Sequence, residues 1–357
     1  MIVEKIRSDV KQQKDILTLL YSHKIDIVFA VFLTILFLEY NFYISRMEVP
    51  GWDGSAYLTN ARNWLDGTPL FEIYRPPLIS WLIAGIWTLT GENWVAVKFL
   101  QAFFTIGAAI ILYVILKRHK GDLFAFGVIA LTMLNAQVFF YSSHIYTEGL
   151  SLFFVVATLY FLKSDRPNHW LLAGIMMGLT FASRYPIILQ AIVIFIVESF
   201  MRKDLKLVSR TIMGAIPVIA LVISMMFLKT GTFDMALDKD TKFGFMLSNF
   251  YLVSSINIWG FAFLLVPVAF IFRRTYTDKY NYTFIAWFIV SLLFWSANTT
   301  NTNFRFAIQF TPAVYYLAIL AIENIVKSNI TLSSIKSRFH RSAKNTTQNN
   351  NMLLEVS

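Results

Sequence analysis

The chain contains no cysteine, so disulfides, thiol nucleophiles and thiolate metal sites are excluded from the start. Charge is scarce too: 15% of the 357 residues are Asp, Glu, Lys or Arg, against 57% hydrophobic and 17% aromatic. A soluble domain of this size cannot hide that much apolar surface, and the composition is that of an integral membrane protein. No glycine-rich loop ending in Gly-Lys-Ser/Thr occurs, which removes the P-loop ATPases. There is also no room for a soluble nucleotide-sugar-binding domain. The opening segment, MIVEKIRSDVKQQKDILTLLYSHK, leads into an apolar run without a small-residue cleavage site, so residues 1–25 read as a retained cytoplasmic tail.

What is present is a series of apolar runs, about 26–46, 93–116, 122–141, 146–162, 170–184, 186–201, 209–228, 253–272, 281–297 and 306–326. Crossing the hydrocarbon takes ~20 apolar residues per helix. The net charge of +10 would suggest nucleic acid in a soluble protein. Here the cations fall in short clusters between the runs, including Lys117–Lys120, Lys163 with Arg166, Arg202–Arg210, and the tail from Lys327. Placing every cluster in the cytoplasm satisfies the positive-inside rule and implies no nucleic-acid partner. Both termini are then cytoplasmic, and the expectation is an all-α polytopic protein of about ten crossings in the plasma membrane. Residues 26–326 form its membrane domain, 327–357 a polar cytoplasmic tail, and 230–252 a later extracytoplasmic loop.

Two stretches follow from that frame. Pro77–Thr90 is apolar but too short to span, so it reads as an interfacial helix and extends the first extracytoplasmic loop over 47–92. Trp170–Met201 lies between two cytoplasmic clusters and must turn back, breaking near Ser183-Arg184-Tyr185-Pro186.

The first loop is the polar exception in an oily chain. Asp53, flanked by Trp52 and Gly54, precedes SAYLTNARNWLDG, whose apolar spacing fits an interfacial helix. A carboxylate at that helix's start is favoured by free backbone N–H groups and could act as a general base; a solvated surface acid is the bland alternative. Glu148, at the start of a run, is a helix-capping acid or a group facing a cavity. Arg75, Arg184 and Arg305 share the outer level with Asp53 and would suit a phosphate-bearing ligand. Tyr74 stands beside Arg75. Trp52, Tyr57, Arg62 and His144 are candidates for acceptor binding or loop support. Asp238-Lys239-Asp240 has two-carboxylate spacing, but such triplets are common, and the sequence supports no metal or other cofactor.

The order of WDGSAY, FEIYRPPLISWL, YTEGLSLFF and GLTFASRYP over about 50–190 resembles the membrane glycosyltransferases of the GT-C fold. Within these it is most similar to family 39, which includes protein O-mannosyltransferases and the lipid A aminoarabinose transferase; NFRFAIQFTPAVYYLAI at 303–319 continues the likeness more loosely. The resemblance implies a GT-C-like helical bundle and a donor sugar on dolichyl or undecaprenyl phosphate. It implies a glycan, lipid or protein acceptor and inversion at the anomeric carbon. Asp53 then matches the loop carboxylate at the catalytic centre, and Glu148 the second acidic position, where an aspartate is frequent. Arg75 and Arg184 match basic residues near the lipid phosphate, with Arg305 a looser match.

Two readings compete. A transporter or flippase of a lipid-linked saccharide also uses broken helices, but it places its polar groups near the midplane and often has two related halves. A polysaccharide polymerase or ligase shares the lipid-phosphate substrate but loads a late loop instead of the first.

Overall fold

The computed structural model describes residues 23–46, 51–232, 256–297 and 308–328, and among these every regular element is a helix. The chain begins with α1 (Lys24–Ser45). Its exposed side is as apolar as its packed side, with Val28, Val31, Ile35 and Leu38 all at least half exposed. Such a face is stable only against lipid. Next come α2 (Trp52–Leu65), α3 (Leu78–Thr90) and α4 (Trp94–Lys120). At 13 residues α3 rises only about 20 Å, short of the ~30 Å hydrocarbon layer.

The run expected over 122–141 is not one helix. It divides into α5 (Asp122–Leu134) and α6 (Ala136–Ser142), bent by 65°. Asn135 causes the break. Its side-chain oxygen caps α6 by accepting from the backbone N–H groups of Gln137 and Val138 at 3.0 and 3.2 Å. Its amide donates to the Ile258 carbonyl at 2.6 Å and the Tyr315 hydroxyl at 3.0 Å. A residue satisfied on all sides in a non-helical conformation outweighs the apolar run around it.

The central hairpin is α7 (Glu148–Leu162), α8 (Pro167–Ser183), a 3-10 turn (Tyr185–Ile187) and α9 (Ile188–Arg202). The break falls where Pro186 requires it. One end is closed by Glu148 and Arg184, the other by Lys163 on Glu198 at 2.6 Å. Over 15 residues, α7 separates the two ends by about 22 Å. Behind α8 runs α10 (Leu205–Thr230). The two touch backbone to backbone: a Cβ added at Gly174 would lie 1.9 Å from the Thr211 carbonyl, and one at Gly214 2.2 Å from that of Leu171. Small residues at such crossings are how membrane helices pack closely.

The chain continues through α11 (Ile256–Trp259), α12 (Ala262–Ile271), α13 (Arg273–Thr277), α14 (Asn281–Ala297) and α15 (Ile308–Ser328). A ring stack of Phe284 on Tyr316, 3.9 Å between centroids, joins α14 to α15 in the core. Five described helices are long and apolar enough to cross a membrane, six if α5 and α6 together form one span, and the protein is multi-pass. The expected count of ten also draws on shorter apolar helices such as α7, α12 and α14. Both tails and most of the 230–252 loop, with Asp238 and Asp240, lie outside the described residues.

Candidate functional site

The helix expected after Trp52 is α2, and Asp53 lies in its first turn. There the unpaired N–H groups and the helix dipole favour a carboxylate. The buried face of α2, with Tyr57, Leu58 and Ala61, packs on Leu78, Ile79 and Ile83 of α3. The Ser80 hydroxyl adds a bond to the Tyr57 carbonyl at 3.1 Å. Buried Asn60 staples the loop between the two helices. It accepts from the N–H groups of Phe71 at 2.8 Å and Glu72 at 3.3 Å, and donates to the Glu72 carbonyl at 3.0 Å. This fixes where FEIYR lies, and so where Arg75 projects.

Arg75 reaches two acids. Its Nη2 donates to Asp53 Oδ1 at 2.9 Å, and its Nε donates to Glu72. The Arg75 and Asp53 side chains are 10% and 18% exposed, sheltered enough for the pair to be held in one geometry. A second pair sits beside the first. Arg184, at the α8–α9 break, donates to Glu148 and, at 3.5 Å, to the Thr147 hydroxyl. Glu148 is 1% exposed.

The two pairs meet at Tyr57. Its buried phenol is pushed above the usual value by desolvation. Arg75 and Arg184 pull it down, while Glu148 and Asp53 push it up. The Arg75 guanidinium lies 4.9 Å from the Tyr57 ring centre and 5.9 Å from that of Tyr74. Tyr57 is therefore the residue around which Asp53, Arg75, Glu148 and Arg184 are gathered, drawn from four separate segments of chain.

The other sequence candidates fall at different distances from that cluster. Trp52, 72% exposed, leans on Phe71 at the rim. Arg62 does not join the site. Two and a half turns along α2, it pairs with Glu92, its Nε donating at 2.8 Å. His144 lies among the rings of Tyr43, Phe140 and Tyr146, with Nδ1 2.6 Å from the Phe140 carbonyl. Burial holds its imidazole below the usual range, and the charge of Lys98 adds to the effect. Arg305 lies outside the described residues. Among the described residues no group of three His, Asp or Glu could hold a metal ion.

Three contributors were not singled out from the sequence. Glu72, three residues before Arg75, is the second acid on that arginine. Tyr146 closes the start of α2: a Cβ at Gly51 would come within 3.0 Å of its hydroxyl. Lys98 is 2% exposed inside the span α4. A lone lysine in an apolar run is a functional signal in itself.

Comparison with known proteins bears on the family resemblance and on the fold. Residues 74–228 match the family model described as dolichyl-phosphate-mannose-protein mannosyltransferase. No curated protein sequence matches the chain significantly. Among solved structures, the crystal structure of ArnT from Cupriavidus metallidurans bound to undecaprenyl phosphate superposes with a TM-score of 0.69 at 12% identity, covering 87% of this chain. The apo state of the same protein gives 0.65 at 13% identity over 82% of this chain. The chain spans 63% and 60% of the length of those two structures. Its fold is the GT-C fold, and over residues 74–228 the resemblance to family 39 read from the sequence agrees with the family model.

Proposed function

We propose that this protein is a membrane glycosyltransferase that moves a sugar from a polyprenyl phosphate to an acceptor hydroxyl at the extracytoplasmic face. The observation that carries the reading is the meeting of two acid–arginine pairs around Tyr57 in a GT-C fold. The match to a mannosyltransferase family model and the likeness to a protein crystallised with undecaprenyl phosphate support a lipid-phosphate donor. In this reading residues 26–326 are the catalytic domain, both termini are cytoplasmic, and α2 and α3 lie in the outer interface.

The chemistry assigns each group a task. The acceptor oxygen attacks the anomeric carbon from the face opposite the phosphate, so configuration inverts. Asp53 takes the hydroxyl proton as the new C–O bond forms. The bond from the anomeric carbon to the phosphate oxygen breaks, and the lipid leaves as its phosphate with an added negative charge. A guanidinium has five N–H donors. With Nε on Glu72 and Nη2 on Asp53, Arg75 keeps others for the phosphate, and Arg184 offers a second fork. Tyr74, beside Arg75, borders the donor phosphate. Glu148 orients Arg184 and is the second acid of the site, while Tyr57 holds the spacing of both pairs. Trp52 and His144 line the approach of the acceptor, whose class is a glycan, a lipid or a protein.

The test is release of free polyprenyl phosphate by the purified protein from a panel of polyprenyl-phosphate sugars, with membrane extract supplying acceptors. Release from one donor by the wild type and not by Asp53→Asn is the expected result. Tight binding of a donor with no release from any would contradict transfer and favour transport of the lipid-linked sugar.

A further inference from the structure

About 22 Å along α7 from Glu148, at the opposite end of the hairpin, a second charged region has no part in the proposed transfer. A cavity of about 360 Å³ opens there between the ends of α4 and α7 and the start of α8. That size is within the range of small-ligand pockets. Its lining includes Arg118, His119, Tyr160, Lys163, Arg166 and His169, and no acid. The nearby carboxylates are already engaged. Glu198, 2% exposed, holds Lys163 and accepts from the Thr283 hydroxyl at 2.5 Å. Asp165 turns outward, 96% exposed, onto Arg202, and Asp278 takes Lys120.

A cluster set only by the positive-inside rule would be satisfied by water. This one is built. Arg202 donates to the carbonyls of Lys163 at 2.7 Å and Ser164 at 3.2 Å. The Trp170 indole donates to the same Ser164 carbonyl at 2.8 Å, so the turn carrying Lys163 and Arg166 is braced from two helices. His169 lines the cavity with Nδ1 buried and without a hydrogen-bond partner. Among the described residues neither Arg118 nor Arg166 has a carboxylate within ion-pair distance, while Arg118 rests its guanidinium 5.8 Å from the Tyr160 ring centre. The start of α8, a helix of 17 residues, adds the positive end of its dipole.

We infer that this cavity is a binding site for a phosphate group, distinct from the Asp53 centre, in which Arg118 and Arg166 grip the phosphate oxygens and His169 completes the contact. Guanidinium forks match phosphate geometry, and basic pockets between membrane helices hold the head groups of anionic lipids. The inference does not depend on glycosyl transfer, because none of these residues belongs to the site around Tyr57.

The experiment uses the full chain in nanodiscs or detergent, comparing wild type, Arg118→Gln/Arg166→Gln and Arg118→Lys/Arg166→Lys. Binding is measured to phosphatidylglycerol, phosphatidylcholine and inorganic phosphate, by native mass spectrometry for the lipids and by calorimetry for the ion. The wild type is expected to prefer phosphatidylglycerol to phosphatidylcholine. The glutamine pair should weaken that binding about tenfold or more, and the lysine pair, which keeps the charge but not the fork, should fall between the two. A parallel loss of inorganic phosphate assigns a soluble phosphate as sufficient ligand, whereas loss for the lipid alone assigns a lipid head group. Equal binding of both lipids by the wild type, or unchanged binding by the glutamine pair, overturns the site. Because sugar release does not require this pocket, the glutamine pair's release activity separates failure here from failure of the proposed function.

Discussion

The buried ion pairs at the two ends of the α7–α8–α9 hairpin use the same ingredients for different purposes. At one end Lys163 and Glu198 form a pair that is closed on itself. Glu198 also takes Thr283, and the Lys163 ammonium sits 4.1 Å from the Tyr280 ring centre. At the other end Arg75 is shared between Asp53 and Glu72, and Arg184 is shared between Glu148 and Thr147. A buried ammonium with one carboxylate is a lock. The planar Arg75 guanidinium, with Nε on Glu72 and Nη2 on Asp53, has more donors than those two bonds use, which suits the anionic substrate proposed here. The comparison teaches that burial of charge does not identify a site; the valence left over does.

Substitutions can break this contrast. Asp53→Asn keeps the shape of the side chain and removes the proposed base, so turnover should fall by ~10²–10⁴-fold, read as polyprenyl-phosphate release, with the Tm little changed. Next in size, Arg75→Gln or Arg184→Gln should each cost about 10²-fold in kcat/KM, since in the proposed reaction each removes charge opposite the leaving phosphate. At the other end, Glu198→Gln leaves the Lys163 charge buried without its partner. It should destabilise the protein by about 3–5 kcal/mol in thermal unfolding, with unchanged turnover per folded molecule. Asn60→Ala frees the FEIYR loop without touching a reacting group, and should lower turnover about tenfold by letting Arg75 drift. The smallest effect belongs to Arg62→Ala: its partner Glu92 is exposed, and neither the Tm nor turnover should shift measurably. An activity loss at Arg62 as large as that at Arg184 would erase the distinction drawn between them.

Much of this was legible in the sequence because membrane chains write their architecture in long apolar runs and charge clusters. The Pro186 break, the helix after Trp52 and the short helix over 78–90 all follow from that grammar. Asp53, Arg75, Glu148 and Arg184 stood out as rare charges at one level, and the fold brings all four to Tyr57. The sequence did not tell that Asn135 would split 122–141, because its partners, Ile258 and Tyr315, are more than 120 residues away. Where Arg62 and Glu72 would turn was hidden for a similar reason. On a linear reading both are polar loop residues, and only the staple by Asn60 turns one toward Arg75 while Glu92 draws the other away. Lys98 was the clearest missed signal, a lysine within an otherwise apolar span.

The central claim is that Asp53 serves the chemistry while Arg75 serves the donor phosphate, although the two side chains touch. The most direct test measures donor binding and donor consumption separately in wild type, Asp53→Asn and Arg75→Gln, using the polyprenyl-phosphate sugar that the wild type accepts. The account predicts that Asp53→Asn binds the donor within a few-fold of wild type but does not release polyprenyl phosphate, whereas Arg75→Gln loses binding. Equal loss of binding in both variants, or release by Asp53→Asn at the wild-type rate, would contradict it.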